Sequence, residues 1–147
     1  MLYGLQGNTG YGKMNTKLLA PIPQLLAMCN DDFQSRDEST ALYGLQGMSS
    51  DSAEVRGLIS VLVAKVKGCK DDLSAQAVGN ALYGLQGMSS DSAEVRGLIS
   101  VLVAKVKGCK DDLSAQAVGN ALYGIISSHC LSYLDSIVDT IWVILFI

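Results

Sequence analysis

The chain has 147 residues, of which 49% are hydrophobic, and its formal net charge at pH 7 is −3. Because nucleic-acid binding draws on clustered positive charge, this balance argues against a strongly basic nucleic-acid-binding domain. The length allows one compact domain or about three two-helix units.

A repeat of forty residues dominates the sequence. Residues 41–80 and 81–120 are identical, and residues 1–40 follow the same frame with many substitutions. A fourth copy begins at residue 121 and stops after residue 124, which leads us to expect a fragment of a longer array. A period of about 20 to 50 residues is typical of repeat proteins, in which each unit buries its apolar face against its neighbours. We therefore divide the chain into a degenerate repeat (1–40), two repeats (41–80 and 81–120) and a stump with a hydrophobic helix (121–147).

The N-terminal unit contains a segment that imitates a nucleotide-binding loop. Gly7–Lys13 has the spacing of a phosphate-binding loop, in which Gly-Lys follows the first glycine after four residues. Met14 stands where a Ser or Thr would hold magnesium, and Pro21 and Pro23 interrupt the helix that would follow. We predict a loop between helices here, and a helix that breaks or restarts near Pro23.

One helix of the repeat is predicted to begin at a capping box, with Asp51 as the cap and Glu54 as its partner three residues later. A row of apolar side chains at helical spacing follows, namely Val55, Leu58, Ile59, Leu62 and Val66. Lys65 and Lys67 lie in the last turn, where positive charge suits the helix dipole, and Gly68 is placed to end the helix.

The other helix is predicted to run from about Ser74 to about Met88, across the boundary between repeats. One wide face combines apolar and small residues and allows close packing of helices: Val78, Leu82, Leu85, Ala77, Ala81 and Gly84. The opposite face is polar, uncharged and aromatic, with Gln76, Asn80, Tyr83 and either Gln86 or Gly87. Two antiparallel helices per repeat predict an all-α fold, a short right-handed α-solenoid of about three helical hairpins.

Two family resemblances follow from these segments. Gln76–Leu85 resembles the signature of octotricopeptide repeats, which are helical hairpins of organellar RNA-binding proteins with the pattern Asn-x-Leu-Trp-Ala-Leu-Ala. The matching positions are Asn80, Leu82, Leu85, Asn120 and Leu122, with Tyr83 in place of Trp and Gly84 and Gln86 in place of Ala. This resemblance spans residues 41–124, although the usual prolines at the helix start are missing, and it implies binding of single-stranded RNA. Asp51–Arg56 is similar to the Asp…Val-Arg start of a HEAT-repeat helix, which implies a protein-binding scaffold instead.

The polar face of the second helix is the best candidate for a binding surface. It occurs in both identical repeats, as Gln76, Asn80, Tyr83, Gln116, Asn120 and Tyr123. Amide side chains can read base edges and tyrosine can stack on a base, which suits a reader of one base per repeat. The alternative is that the amides bond to neighbouring backbone and the tyrosines pack between repeats. Arg56, Lys65 and Lys67 either contact phosphates or balance the helix dipole in solvent.

The sequence shows no catalytic constellation. The only histidine, His129, precedes Cys130, and we expect both to be isolated, exposed residues without a metal. Cys29, Cys69 and Cys109 recur at the repeat period. Neighbouring helices lie about 10 Å apart, which is too far for disulfides, so we expect small buried thiols. We therefore predict no enzyme activity, no cofactor, and a reducing intracellular compartment, an organelle included.

The tail at 125–147 keeps helical apolar spacing and ends in an all-apolar run. It is too short and too interrupted by acidic residues for a membrane span, which needs about 20 apolar residues, so we expect it to dock on the last repeat. The function expected is a non-catalytic helical scaffold that binds single-stranded RNA through its Gln/Asn/Tyr face. The alternatives are a protein-interaction scaffold and a fragment without independent function. The ends of the array also allow copies to associate end to end.

Overall fold

The computed structural model describes residues 16–130 and Trp142, and this part of the chain is helical, without a strand. The predicted all-α class is therefore confirmed. A short 3-10 turn at Thr16–Leu18 precedes six helices in these residues: α1 (Ile22–Met28), α2 (Ser35–Tyr43), α3 (Ala53–Gly68), α4 (Ala75–Tyr83), α5 (Ala93–Lys107) and α6 (Ala115–Ile126). The loop-like segment Gly7–Lys13 and almost all of the predicted tail helix lie outside the described residues.

Equivalent helices of successive repeats pack side by side. The first helices of the repeats, α1, α3 and α5, form the first-helix row, in which α3 contacts α1 and α5. The second helices, α2, α4 and α6, form the second-helix row, in which α4 contacts α2 and α6. The hydrophobic core draws side chains from both rows. It includes the apolar row predicted for α3, all of which is buried: Val55, Leu58, Ile59, Leu62 and Val66. Among the described residues, no helix is long and apolar enough to cross a membrane.

In the first-helix row, α3 begins one residue later than predicted. The N-cap of α3 is Ser52, not Asp51: the Ser52 hydroxyl accepts a hydrogen bond from the Val55 N–H and donates one to the Glu54 carboxylate at 2.6 Å. The Ser49 hydroxyl accepts a hydrogen bond from the Asp51 N–H, which places Asp51 in the turn before the helix. Asp and Ser are equally good caps, so the turn decides between them.

The two candidate caps can be distinguished by mutation. We expect Ser52→Ala to lower the free energy of unfolding by about 1 kcal/mol, because the Val55 N–H loses its acceptor. Asp51→Ala, at an exposed side chain, should change it by less than about 0.5 kcal/mol. Urea denaturation measures both variants. Equal losses, or a larger loss for Asp51→Ala, would contradict Ser52 as the cap.

In the second-helix row, α4 ends earlier than predicted. α4 begins after its N-cap Ser74, as expected, but it ends at Tyr83 and not near Met88. Residues 84–87 form turns. The Gly87 carbonyl accepts a hydrogen bond from the Ser50 N–H of the preceding repeat, and a Cβ atom at Gly87 would lie 1.9 Å from the Met48 carbonyl oxygen. The close contact between successive loops therefore ends the helix.

The N-terminal unit behaves as its prolines predict. α1 starts at Ile22, immediately after Pro21, and Pro23 lies in its first turn, where a missing backbone N–H is tolerated. The restart near Pro23 is therefore confirmed.

The cysteines follow the prediction only in part. All four thiols are free, but Cys69 is buried while Cys29 and Cys109 are half-buried. The expectation that Cys130 is exposed was wrong. Cys130 is fully buried and its thiol donates to the Met88 carbonyl at 3.5 Å, because the chain after α6 pairs with the loop of the preceding repeat. His129 is exposed, and its N–H donates to the same carbonyl at 2.9 Å.

Candidate functional site

The polar face predicted on the second helix continues along all three helices of the second-helix row. Positions forty residues apart form three sets, which we call the polar face: Arg36, Gln76 and Gln116; Thr40, Asn80 and Asn120; Tyr43, Tyr83 and Tyr123. Gln76 and Gln116 are exposed, and Asn80 and Asn120 are half-buried. The first repeat therefore extends the predicted face with a guanidinium and a hydroxyl group in place of the amides.

The tyrosines of the polar face stack on one another. The Tyr83 ring lies between those of Tyr43 and Tyr123, with 5.4 Å between ring centroids on each side and interplanar angles of 19° and 24°. Stacking of this kind stabilises aromatic pairs by about 1 kcal/mol beyond the area they bury. A nucleobase could reach either face of the Tyr83 ring only by separating two tyrosines. The Tyr83 ring thus packs between repeats, the alternative that its sequence position also allowed.

A shallow groove runs between α2 and α4 on this face. Its volume is about 480 Å³, and its lining includes Ser35, Arg36, Ser39, Thr40, Gln76 and Asn80. These side chains provide hydroxyl, amide and guanidinium groups, so the groove offers both donors and acceptors. Arg36 is the only charged residue in this lining. The groove can bind a polar, extended ligand through hydrogen bonds.

The basic candidates belong to α3, and two of them bind the chain itself. Arg56 Nη1 donates to the carbonyls of Ser50 and Asp51, each at 2.8 Å. Lys65 Nζ donates to the Cys29 carbonyl of the preceding repeat and lies 5.8 Å from the centre of the Phe33 ring. Lys67 is exposed and lies beside the groove between α3 and α5. The structure therefore does not bring these three cations onto the polar face.

A buried charged cluster is absent from the sequence-based predictions. Glu38 is fully buried in α2, and neither of its carboxylate oxygens accepts a hydrogen bond. Lys105 Nζ lies 3.5 Å from Glu38 Oε2 and donates to the carbonyls of Cys69 at 2.6 Å and Asp71 at 2.9 Å. Burial raises the pKa of Glu38 and outweighs the opposing effects of the Cys69 thiol and the Lys105 ammonium. A signal was present in the sequence, because the repeat frame aligns Glu38 with the apolar Val78.

Carboxyl groups at the helix starts have the opposite shift. Hydrogen bonds from Ser52 and Ser92 lower the pKa of Glu54 and Glu94. The described residues contain no group of three or more His, Cys, Asp or Glu side chains that could hold a metal ion. The side chains of the polar face offer hydrogen bonds from hydroxyl and amide groups and from the Arg36 guanidinium.

Comparisons of the chain with protein-family models, with curated proteins and with solved structures give no match.

Proposed function

We propose that this chain is a non-catalytic scaffold, a short α-solenoid of about three helical hairpins, whose polar face binds an extended segment of a partner protein. The observation that carries the proposal is the groove between α2 and α4, with its hydroxyl and amide lining. An Asn or Gln side chain has a donor and an acceptor, and so has each peptide unit of an extended chain. The polar face therefore matches the hydrogen-bonding groups of a peptide backbone.

The spacing of the helices supports the same ligand. Neighbouring helices lie about 10 Å apart. An extended chain advances about 3.3 Å per residue, so each repeat would meet about three residues of the bound peptide. Asn80 and Asn120 occupy equivalent positions in successive repeats. They would contact peptide units that lie about three residues apart, and such units have the same orientation when the bound peptide adopts the polyproline II conformation, which has three residues per turn.

Protein is favoured over RNA as the ligand because several of the predicted RNA-binding side chains make contacts within the chain. The Tyr83 ring is stacked on both sides by tyrosines, and Arg56 and Lys65 donate to backbone carbonyls of the chain. Binding of single-stranded RNA combines base stacking on aromatic rings with cations along the phosphates. The formal net charge of −3 adds no attraction for phosphate.

Panning of a random peptide library displayed on phage tests the proposal. We expect enriched peptides that bind the wild-type chain with dissociation constants in the range of about 1 to 100 μM. The double variant Asn80→Ala/Asn120→Ala should bind them at least about tenfold more weakly. Asn30→Ala makes the same chemical change at an exposed loop residue that does not line the groove between α2 and α4, and it should leave binding unchanged.

Two outcomes would overturn the proposal. The first is a library without enriched peptides, or with peptides that bind the double variant as tightly as the wild type. The second is micromolar binding of a fluorescent single-stranded RNA that weakens as salt rises and is lost in the double variant. That result would assign the polar face to RNA, because release of counterions from phosphates gives this salt dependence.

A further inference from the structure

The outer face of α6 has the same residues as the face of α4 that α6 itself covers. α4 and α6 have the same sequence from Ala75 to Gly84 and from Ala115 to Gly124. On α4, Val78, Gly79 and Leu82 are buried where α6 packs on them. A Cβ atom at Gly79 would lie 2.8 Å from the Cα atom of Ala117, so the contact is close.

On α6 the same positions are open. Leu122 is 40% exposed, whereas its equivalent Leu82 is 0% exposed. Gly119 is exposed, and a Cβ atom there would meet nothing within 4 Å. Tyr123 is 54% exposed, although the equivalent Tyr83 is stacked on both sides. α6 therefore presents the surface that receives the next repeat.

The opposite end of the stack presents the complementary surface. Leu26, Phe33 and Ala41 are half-buried and line an open groove of about 690 Å³ between α1 and α2, whose other lining residues are mostly polar or charged and include Asp31 and Arg36. All three apolar positions are buried in the next repeat, where they are occupied by Val66, Leu73 and Ala81. The half-buried residues of the first repeat therefore occupy positions that a preceding repeat would cover.

Neighbouring positions show that this groove faces a preceding repeat. Lys65 and Lys105 reach back to the carbonyls of Cys29 and Cys69, one repeat earlier. The equivalent residue of the first repeat is Leu25, which is 52% exposed. Leu25 thus stands where the next two repeats have the lysine that bonds to the preceding repeat.

Aspartate side chains also join each repeat to the repeat before it. Asp71 Oδ2 accepts a hydrogen bond from the N–H of Ser35, and Asp111 Oδ2 accepts one from the N–H of Ala75, at 3.1 and 3.2 Å. Each aspartate binds the start of the second helix in the preceding repeat. Asp31 is the equivalent residue of the first repeat. Its equivalent partner in a preceding unit would be the N–H of Ala115.

Exposed apolar side chains are concentrated at these two ends. Within residues 17–130, the large apolar side chains that are strongly exposed are Leu18, Leu25, Met28, Leu122, Tyr123 and Ile126. We propose that copies of this chain associate head to tail, with α6 of one copy seated on the groove between α1 and α2 of the next. The contact is heterologous and does not close by itself, so it extends the forty-residue stack from copy to copy. This inference goes beyond the proposed function because it requires no peptide ligand.

Sedimentation velocity of the full chain, at concentrations from about 1 to about 100 μM, tests the inference. We expect the weight-average mass of the wild type to rise with concentration. Leu122→Asp and Leu25→Asp, one at each end, should each weaken association at least about tenfold, because a charge would replace an apolar side chain that the contact covers. Leu25 is 52% exposed and Leu122 is 40% exposed, and neither belongs to the buried core, so both variants should keep the wild-type helical circular dichroism. Ser60→Asp, at an exposed position on α3, is the matched control and should associate like the wild type.

Mixing the two variants distinguishes head-to-tail contact from a symmetric contact. Each variant keeps one intact end, so an equimolar mixture of Leu122→Asp and Leu25→Asp should form a dimer that neither variant forms alone. A wild type that stays monomeric throughout, association that neither substitution weakens, or a mixture without dimer would each overturn the proposal. Peptide binding to the polar face is measured separately on the Leu122→Asp variant, so the two proposals can fail independently.

Discussion

Alanine in place of Gly84 is expected to lower the free energy of unfolding by about 3 kcal/mol. A Cβ atom at this position would lie 1.9 Å from the Leu42 carbonyl oxygen, which belongs to the backbone of α2. The φ and ψ angles of Gly84, −64° and −15°, suit any residue, so the expected cost comes only from the close approach of α2 and α4. A backbone atom cannot rotate away as a side chain can, and the helices would have to separate. Urea denaturation of the variant measures the loss.

The repeat provides a matched pair of glycines as the control. Gly79 and Gly119 have the same neighbours in sequence, but a Cβ atom at Gly79 would lie 2.8 Å from the Cα and carbonyl oxygen of Ala117, and one at Gly119 would meet nothing within 4 Å. We expect Gly79→Ala to destabilise the fold by about 1 to 2 kcal/mol. Gly119→Ala should stabilise it by about 1 kcal/mol, because alanine is the better helix former. Equal effects of the two substitutions, measured at low protein concentration, would contradict the packing of α4 on α6.

The helices and their buried faces could be predicted from the sequence because they depend on local periodicity. The apolar row from Val55 to Val66 has helical spacing, and burying it requires only a neighbouring helix. The small residues of α4 also predicted close packing, and Gly84 lies where α2 approaches. The all-α class follows from these two patterns.

The ends of the helices depend on contacts between repeats, which the sequence of one repeat does not contain. α4 stops at Tyr83 because the following turn bonds to the loop of the preceding repeat, through the Ser50 N–H and the Gly87 carbonyl. Asp51 and Ser52 have similar capping strength, and a hydrogen bond to the Ser49 hydroxyl decides which of them starts α3. Local patterns therefore predict the existence of an element better than its boundaries.

The accessibility of the polar face could be predicted from the sequence, but the contacts of its side chains could not. Gln76 and Asn80 lie on the accessible side of α4, as their spacing indicates. The stacking of Tyr83 and the carbonyl contacts of Arg56 and Lys65 involve neighbouring turns and repeats, so their availability to a ligand could not be read from one helix. These contacts arise only from three-dimensional packing.

Replacing Glu38 with valine is expected to raise the free energy of unfolding at neutral pH by about 2 kcal/mol. Valine is the residue that the repeat has at the equivalent position Val78, which is buried in the core. Burial keeps the pKa of Glu38 above its ordinary value despite the nearby Lys105, which means that its charged form is disfavoured in the folded state. After the substitution Lys105 keeps its hydrogen bonds to the carbonyls of Cys69 and Asp71. The equivalent Lys65 likewise donates to a carbonyl of the preceding repeat.

The pH dependence of this gain follows from the direction of the pKa shift. A carboxyl group with a raised pKa in the folded state contributes stability that is fully present below its unfolded-state pKa, about 4.3. That contribution is lost as the pH rises through the folded-state pKa of Glu38. The difference in unfolding free energy between Glu38→Val and the wild type should therefore be smallest at acid pH, grow across this window and then stay constant. Glu54 and Asp72, whose pKa values are lowered, titrate in both proteins and cancel in the difference.

Glu38→Gln separates the effect of charge from that of polarity. Glutamine has no ionisable group, so this variant should lose the same part of the pH dependence as Glu38→Val. It leaves a buried polar side chain, so its gain in stability at neutral pH should be smaller. Urea denaturation of the wild type and both variants at several pH values gives the three curves. If Glu38→Val instead destabilised the fold at neutral pH, the ion pair with Lys105 would outweigh the desolvation of the carboxylate. The buried glutamate would then be a contact that holds the first repeat onto the third.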